Sequence, residues 1–444
     1  MLLTIEKLIY GGDGLARLPA DASGRGKAAF VPFVLAGEKI EASVTEQKPG
    51  FARAHADKIL EPSPHRVQPG CPYFGSCGGC HYQHASYDHQ LQIKADILRE
   101  TLRRTAKIEL SKDIEVHPSP PWNYRNRSRL QVQTGPSFKA GYYNMGSHEL
   151  LAVEECPISS PLINRGIAIL WQSGRANKVP QGVTEIEFFA NADDSQLLVE
   201  ASTTADSRRS ALRAWAEDLR TSLPEIAGVV VFRETATGRK HTTEKLLTVG
   251  ADHLIYQTER AAYRVSAGSF FQTNRYLTDE LVRIVTQGRS GELALDLYSG
   301  VGLFSTVLAC DIHHIVSVES SQTSTGDLSY NLPSNGEVVQ ATAEQYLAST
   351  ESKGRVGTGT VLPRSFHTPD LAVVDPPRSG LGERVARLLA TLGAPRVVYV
   401  SCDPATLARD LVPLCAAGYR MDQVHLVDLF PQTYHLETVV HLVR

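Results

Sequence analysis

The sequence predicts an α/β protein in which a largely parallel sheet forms the carboxyl-terminal domain, behind a small β-barrel and an antiparallel α+β central domain. Three observations support this prediction. In residues 266–444, continuous apolar runs alternate with helical patterns, and each run ends in a polar residue. Residues 1–62 are short alternating runs broken by glycine turns. Between them, residues 63–265 contain many strand-like segments without that alternation.

Composition limits the class of protein. The 444 residues are enough for two or three domains, and 42% hydrophobic with 21% charged residues is typical of a globular chain. Because we find neither a bilayer-spanning apolar run nor a signal-peptide pattern, we expect a cytoplasmic protein with no membrane partner. The net charge of −3 gives no general attraction for nucleic acid. The seven cysteines, an odd number, argue against a disulfide framework and favour metal binding, catalysis or packing.

The amino-terminal barrel is of the size and pattern of oligonucleotide-binding barrels. A small barrel without any ligand fits the pattern equally well. A proline-rich linker follows at 61–70. Apolar residues at helical spacing then predict a helix over 86–105, with Ser86 as a cap. Further helices are predicted near 161–176 and 208–221.

A basic stripe lies in the central domain, where the segment 122–132 interleaves aromatic residues with Arg125, Arg127 and Arg129. In a strand, these three arginines share one face. Such a face suits RNA phosphates, while Trp122 and Tyr124 could stack on bases. An exposed strand face with no ligand is the alternative.

A glycine loop follows the first apolar run of the carboxyl-terminal domain. Asp296 lies near the end of this predicted strand, and Gly300 and Gly302 follow it. A nicotinamide-binding loop would have a third glycine where Ser305 stands. An acid before the loop is more typical of S-adenosylmethionine (AdoMet) sites, and Glu319, which ends the next strand, could bind ribose hydroxyls. A tight turn followed by a solvated glutamate is the alternative.

Two further strands end in side chains of chemical interest. Asp375 precedes two prolines, which stop the sheet and form a rigid edge. Cys402 ends the next strand and is followed by Asp403 as a helix cap and Pro404 as the first helical residue. The helix terminus favours the thiolate form of Cys402, although Asp403 opposes it. Most single cysteines are buried and structural. The position of Cys402 beside Asp375, at the carboxyl ends of the strands, instead favours a role as a nucleophile.

The four cysteines of the central region form a separate group: Cys71, Cys77, Cys80 and the distant Cys156. Three close cysteines with one remote partner are typical of iron–sulfur ligation, whereas structural zinc sites more often show two pairs. The spacing alone leaves iron–sulfur and zinc open.

Five segments together resemble a known family. They are "SAGSFFQTN", "DLYSGVGLFS", "VVDPPRSG", "YVSCDPATLARD" and "FPQTYHLETV", and they resemble the RNA uridine-5-methyltransferases of the TrmA/RumA group. The resemblance runs through 266–444, and 1–62 is similar to the RNA-binding TRAM domain of that family. It implies a class I, Rossmann-like methyltransferase domain that uses AdoMet to methylate C5 of uridine in RNA.

The resemblance also implies roles for individual residues. Since C5 of uracil is a poor nucleophile, Cys402 would first add to C6, and Glu437 would later remove the C5 proton. From pattern alone, Glu437 reads as a solvated glutamate. The implied AdoMet contacts are Gln272, Tyr298, Glu319 and Asp375. Many family members hold a [4Fe–4S] cluster at this cysteine spacing, which favours iron–sulfur over zinc.

The resemblance favours 23S ribosomal RNA as the substrate, because members with both the barrel and the four cysteines act mostly on ribosomal RNA. Transfer RNA is the alternative, and we expect a monomer. Two alternatives of other classes are a non-catalytic, metal-stabilised RNA-binding protein and an AdoMet enzyme acting on amine nitrogens. Neither of these needs Cys402 at the edge of the sheet, so this residue discriminates between them and the uridine methyltransferase.

Overall fold

The computed structural model of the chain describes residues 1–19, 26–135, 137–204, 207–237, 240–352 and 368–444. Within these residues the strands form sheets of six, seven and eight strands and a two-stranded ribbon. No helix in the described ranges is both long enough and apolar enough to cross a bilayer.

The six-stranded sheet forms the amino-terminal domain, in the order β1-β5-β6-β4-β3-β2. Its strands are β1 (Leu2–Thr4), β2 (Lys7–Leu8), β3 (Gly14–Arg17), β4 (Ala28–Val31), β5 (Lys39–Gln47) and β6 (Phe51–Glu61). Buried and exposed residues alternate at the start of β5 and β6, as the two-residue period of a strand requires. The buried face encloses a small apolar core that includes Ile5, Val31 and Ile40.

The segment after this domain packs on the carboxyl-terminal domain. Helix α1 (Tyr87–Thr101) confirms the predicted helix and ends in a π-turn at Leu102–Ala106. Ser86 stands at the cap position, but its side chain makes no capping hydrogen bond. The short strand β7 (Glu115–His117) joins the edge of the eight-stranded sheet. The sequence prediction had placed this strand in the central domain.

The central domain holds the seven-stranded sheet, ordered β10-β9-β8-β11-β12-β13-β14. Its elements are β8 (Arg127–Gln133), β9 (Lys139–Tyr143), β10 (Leu150–Ala152), α2 (Pro161–Arg175), β11 (Val183–Ala190), β12 (Leu197–Thr203), α3 (Arg209–Ser222), β13 (Ile226–Thr237) and β14 (Lys240–Gly250). Both predicted helices are confirmed. The pairing of β12 with β13 is parallel, unlike the others, because α3 carries the chain back across the sheet.

The carboxyl-terminal domain holds the eight-stranded sheet and follows the ribbon β15 (His253–Gln257) and β16 (Ala262–Ser266). Its elements are α4 (Thr278–Thr286), β17 (Gly291–Leu297), α5 (Ser305–Leu308), β18 (Ile312–Glu319), α6 (Gln322–Asn331), β19 (Gly336–Gln340), α7 (Ala343–Ser352), β20 (Leu371–Val374), α8 (Gly382–Leu392), β21 (Arg396–Ser401), α9 (Pro404–Ala416), β22 (Arg420–Val427) and β23 (Glu437–Val443). Apolar clusters cover both faces of this sheet.

The strand order β19-β18-β17-β20-β21-β23-β22-β7 determines where a ligand can bind. From β17 the chain moves outward through β18 to β19, then returns to β20 on the other side of β17. In open sheets of this kind ligands bind at the carboxyl ends of the strands beside such a reversal. The predicted final hairpin is confirmed, since β22 and β23 are antiparallel neighbours.

Candidate active site

Backbone register brings the cysteine and the glutamate together. Ser401, the last residue of β21, is paired with Thr438 of the antiparallel strand β23. The residues one step further, Cys402 and Glu437, therefore face each other at the same end of the sheet. Cys402 is half-buried and Glu437 is buried. Cys402 was expected here from its position in the sequence and Glu437 from the family resemblance; the burial of Glu437 shows that a solvated glutamate, expected from the pattern alone, is wrong.

Burial raises the pKa of both groups. Burial, followed by the charges of Glu437 and Asp375, raises the pKa of the Cys402 thiol to about 12. Burial and the charge of Asp375 raise the pKa of Glu437 well above its ordinary value. The exposed guanidinium of Arg378 opposes both shifts.

The expectation that the helix end favours the Cys402 thiolate is therefore wrong for this state. The Asp403 side chain accepts hydrogen bonds from the backbone N–H groups of Ala405 and Thr406, at 3.0 and 2.9 Å. These donors at the start of α9 are occupied by the cap and are not free to stabilise a thiolate. Asp403 and Pro404 do take the predicted cap and first-turn positions.

The glycine loop after β17 is tightly folded. Tyr298, Gly300 and Gly302 have φ angles of 62°, 55° and 93°, in the left-handed region. For Tyr298 this conformation is strained, and such strain is concentrated at functional sites. The Glu319 carboxylate accepts hydrogen bonds from the N–H groups of Gly300 and Ser321, at 2.9 and 2.6 Å. Glu319 thus holds the loop in place, a role that the sequence analysis did not foresee.

Two acids, the buried Asp296 and the half-buried Asp375, lie at the reversal of the strand order. Asp296 is near the end of β17 and Asp375 directly follows β20, and the two strands are parallel neighbours. Burial raises the pKa of Asp296 to about 7, and burial with the charge of Asp296 raises that of Asp375 to about 7. Ser305, which stands where a nicotinamide loop has glycine, donates a hydrogen bond to Asp296 Oδ2.

The other carboxylate oxygen of Asp296, Oδ1, is buried and has no hydrogen-bond partner. A buried, unpaired acceptor is costly unless a ligand satisfies it. The amino group of AdoMet is a donor of the required kind, so these residues fit that ligand. Gln272, the remaining predicted contact, is buried in the connection between β16 and α4.

The loop 428–436, which leads to Glu437, is held from several sides. The Lys94 ammonium on α1 lies 2.5 Å from Asp428 Oδ1 and donates to the carbonyl of Phe430. Gln90, also on α1, bonds both the side chain and the backbone of Gln432. The Tyr124 hydroxyl donates to the carbonyl of Pro431. Helix α1 and the central domain thus hold the loop that leads to Glu437.

An aromatic group near Cys402 was missed by the sequence analysis. It consists of Tyr10, His81, Tyr434 and His435, whose neighbouring ring centroids are 4.3 to 5.4 Å apart. Tyr10 belongs to the amino-terminal domain, and burial together with the charge of Asp403 raises its pKa. A ring nitrogen of His435 lies 3.4 Å from a guanidinium nitrogen of Arg378. Tyr434 and His435 lie in the segment "FPQTYHLETV", but no local pattern links them to Tyr10 and His81.

The four central cysteines converge on one cavity, which Arg125 and Tyr142 also line. Burial and the neighbouring cysteine charges raise the pKa of Cys77 to about 11 and that of Cys80 to about 12. Arg125 Nε is buried there without a hydrogen-bond partner. A buried cation beside four thiols fits an anionic, thiolate-ligated metal group.

Of the three arginines of the basic stripe, Arg127 and Arg129 lie on β8 and share a face, since both pair with Glu187, whereas Arg125 precedes the strand. Arg125 faces the cysteine cavity. Arg127 lies 3.2 Å from the Glu187 carboxylate and over the ring of Phe189. Arg129 also pairs with Glu187, at 2.8 Å, and its side chain is 59% exposed. Of the three, Arg129 is therefore the most accessible to a phosphate.

Two family models match the chain. The model described as tRNA (uracil-5-)-methyltransferase matches residues 86–444, and the TRAM domain model matches residues 1–56. Among curated proteins, the chain is 34% identical to an uncharacterized RNA methyltransferase of Aquifex aeolicus, covering 99% of this chain and 97% of that one. It is 32% identical to the 23S rRNA (uracil(1939)-C(5))-methyltransferase of Pseudomonas fluorescens, covering 98% and 92%.

A solved structure resembles the whole chain. It is the Pyrococcus abyssi tRNA (uracil-54, C5)-methyltransferase in complex with S-adenosyl-L-homocysteine, which is 25% identical. The TM-score is 0.74, and the match covers 100% of both chains.

Proposed function

The chain belongs to the tRNA (uracil-5-)-methyltransferase family and is an RNA uracil-5-methyltransferase, and we propose that Cys402 and Glu437 carry out its chemistry. The observation that carries this proposal is the β21–β23 register, which sets a cysteine against a carboxyl group at the ligand-binding end of the sheet. A protein that only binds RNA needs neither group there.

Cys402 acts as the nucleophile. The Cys402 thiol first loses its proton to solvent water. The thiolate then adds to C6 of uracil, and the π electron pair of the C5–C6 double bond moves towards C5 and the O4 carbonyl. The activated C5 accepts the methyl group that AdoMet supplies. Glu437 in its ionised form then takes the C5 proton, and the Cys402–C6 bond breaks to restore the ring double bond. Arg378 favours the ionised forms of both groups.

The chain offers AdoMet the glycine loop and two acids. Asp296 Oδ1 is an unpaired acceptor for the amino group, and the open left-handed turn at Gly300 leaves space for close approach. Glu319 keeps lone pairs for ribose hydroxyls while it accepts from the loop. Tyr298, Gly302, Asp375 and Gln272 are the further contacts that we assign to this site.

The aromatic group near Cys402 suits an extruded uracil base. An enzyme that acts on C5 and C6 must take the base out of its stack and hold it against flat side chains. Tyr434 and His435 lie on the loop that leads to Glu437, and Tyr10 brings the amino-terminal domain to the same place. Burial lowers the pKa of His435 to about 3, so its ring is neutral and can stack without repelling Arg378.

We assign 23S ribosomal RNA as the substrate, with transfer RNA as the alternative, and a cytoplasmic monomer as the acting form. Support comes from the near full-length similarity to the Pseudomonas fluorescens enzyme and from the four cysteines. The test uses unmodified 23S rRNA and tRNA transcripts with methyl-labelled AdoMet, and Cys402→Ser as the control. Label in 23S rRNA alone is the expected result. Label in tRNA alone would favour tRNA, and label in neither would favour an RNA-binding protein.

We further propose that Cys71, Cys77, Cys80 and Cys156 hold a [4Fe–4S] cluster. No three of their sulfur atoms lie within 4.8 Å of one another in the described part of the chain. One tetrahedral zinc ion would hold its thiolates about 3.8 Å apart at a Zn–S distance of about 2.3 Å. Anaerobically purified protein should be brown, with iron and sulfide in equal amounts. Colourless protein with one zinc per chain would show that the assignment is wrong.

A further inference from the structure

Three potential metal ligands meet on one face at the edge of the eight-stranded sheet. Glu115 and His117 are two residues apart on β7, so their side chains point the same way. Strand β7 runs parallel to β22, and His425 of β22 is in register with Glu115. His425 lies 308 positions after His117, so the fold brings two distant segments together here. Within the described residues, Glu115, His117 and His425 form a group of potential metal ligands whose ligand atoms all lie within 4.8 Å of one another.

The distances between these ligand atoms match those around a single metal ion. His117 Nε2 lies 3.0 Å from His425 Nδ1. Glu115 Oε1 lies 3.7 Å from His117 Nε2, and the other oxygen of the same carboxylate, Oε2, lies 3.4 Å from His425 Nδ1. A tetrahedral ion with ligands at about 2.1 Å separates neighbouring ligand atoms by about 3.4 Å. We propose that Glu115, His117 and His425 form a second metal site, which takes a divalent transition ion such as zinc.

The surroundings of His117 support ligation through Nε2. Its other nitrogen, Nδ1, lies 2.7 Å from the Glu280 carboxylate on α4. A carboxylate in that position holds the proton on Nδ1 and leaves Nε2 as an acceptor, as is usual behind metal-bound histidines. In this structure Nε2 is hydrogen-bonded to His425 Nδ1, and an ion bound between the two nitrogens would replace that hydrogen bond. Arg283 also pairs with Glu280 and keeps its carboxylate in place.

The site has an open side. Both histidine side chains are nearly buried, at 9% and 8% exposed, whereas Glu115 is 63% exposed. A metal ion here can enter from solvent and keep a water molecule as its fourth ligand. The site contains no cysteine, so it is distinct in chemistry from the cysteine cavity.

A metal at this place ties β7 to the sheet close to the active-site loop. The carbonyl of His117 accepts a hydrogen bond from the N–H of Asp428, at 3.0 Å. Asp428 is the partner of Lys94 and starts the loop that leads to Glu437. The role that follows is structural: the ion fixes the base of this loop and fastens the short strand β7, which its own backbone pairing holds only weakly.

The test titrates zinc chloride and, separately, cobalt chloride into the full-length protein with its cysteine site filled. Glu115→Gln is the main variant, because this exposed residue can change without disturbing the core. Asp113→Asn is its control, since Asp113 carries the same charge two residues away and is fully exposed. Calorimetry measures zinc binding. Visible absorption shows whether bound cobalt is tetrahedral and whether thiolate ligands, which produce charge-transfer bands, are absent.

We expect wild-type protein and Asp113→Asn to bind one equivalent with the same affinity, and Glu115→Gln to bind at least about tenfold more weakly. At the same zinc concentration, the melting temperature of wild type should rise more than that of Glu115→Gln. If wild-type protein bound no equivalent of metal ion, the proposal would be overturned. Equal affinity in the two variants, or cobalt spectra with thiolate bands, would also overturn it.

Discussion

Ser401 of β21 pairs with Thr438 of β23. This one backbone pairing sets Cys402 opposite Glu437. It does so at the end of the sheet where Asp375 and the glycine loop also lie. Strand register therefore places the two residues that we propose as nucleophile and base.

The first prediction concerns Arg378, which lowers the pKa of Cys402 and Glu437. In Arg378→Gln both pKa values should rise, so a smaller fraction of each group is ionised at neutral pH. Single-turnover methylation with saturating RNA should slow by about tenfold at pH 7.5 and recover partly at pH 9. Arg384→Gln, at an exposed arginine paired with Glu344, is the control and should match wild type. A loss of equal size at every pH would show that Arg378 does not act through ionisation.

The second prediction is that ionisation of Glu437 lowers the free energy of unfolding as the pH rises. Because burial raises its folded-state pKa well above 4.5, the folded protein binds this proton more tightly than the unfolded chain does. Its contribution to stability is therefore full below pH 4.5 and is lost as the pH rises through the folded pKa. Glu437→Gln carries no such charge, so its melting temperature should exceed that of wild type by a few degrees at pH 8. The difference should shrink at pH 5.

The control for this measurement is Glu383→Gln, at a glutamate that is 73% exposed. Its melting temperature should follow that of wild type at both pH values. If Glu437→Gln melted below wild type at pH 8, the carboxylate would be better satisfied in the fold than its burial indicates.

The third prediction tests the AdoMet site through Ser305. Its hydrogen bond lowers the pKa of Asp296, so Ser305→Ala should raise that pKa and leave less carboxylate at neutral pH. Ser305→Ala should bind AdoMet several-fold more weakly than wild type at pH 7, and this difference in affinity should become smaller at pH 8.5. Ser329→Ala, which removes a hydroxyl that bonds its own helix α6, is the matched control. If calorimetry gave the same AdoMet affinity for Ser305→Ala and wild type, Asp296 would not be a contact of AdoMet.

The fourth prediction concerns the basic stripe. If Arg129 contacts a phosphate, Arg129→Gln should weaken RNA binding and reduce the salt slope of the binding constant by about one. Arg175→Gln is a matched control, because Arg175 is also 59% exposed and also paired with a glutamate. Equal salt slopes in wild type and Arg129→Gln would show that RNA does not follow this strand.

Much of the fold follows from local sequence patterns. Parallel strands buried on both faces must be continuously apolar, and their polar last residues must meet at one edge. This is why Asp296, Asp375 and Cys402 could be placed at one site. The glycine loop could also be recognised from the sequence. The helix that follows it, α5, is shorter than a typical helix and spans only Ser305–Leu308.

What the patterns could not predict are pairings between distant segments. Strand β7 has three residues, and its partner β22 lies about three hundred positions later, so no local signal assigns it to that sheet. The aromatic group joins Tyr10 to the loop before β23 for the same reason. The stripe of arginines was found, but the acid that neutralises two of them, Glu187, comes from β11.

The central claim is that Cys402 bonds to RNA and that Glu437 is needed to release it. Cys402→Ser should give neither adduct nor product, because a serine hydroxyl is almost never ionised near neutral pH. The double variant should behave in the same way. Cys415→Ser, at another half-buried cysteine, should remain active.

The most direct measurement is denaturing electrophoresis of Glu437→Gln after incubation with RNA and methyl-labelled AdoMet. The amide keeps the shape of the side chain but cannot take the C5 proton, so a labelled protein–RNA adduct should accumulate and survive denaturation. Normal turnover without an adduct would show that another group is the base. Substantial methylation of RNA by Cys402→Ser in the same assay would contradict the account as a whole.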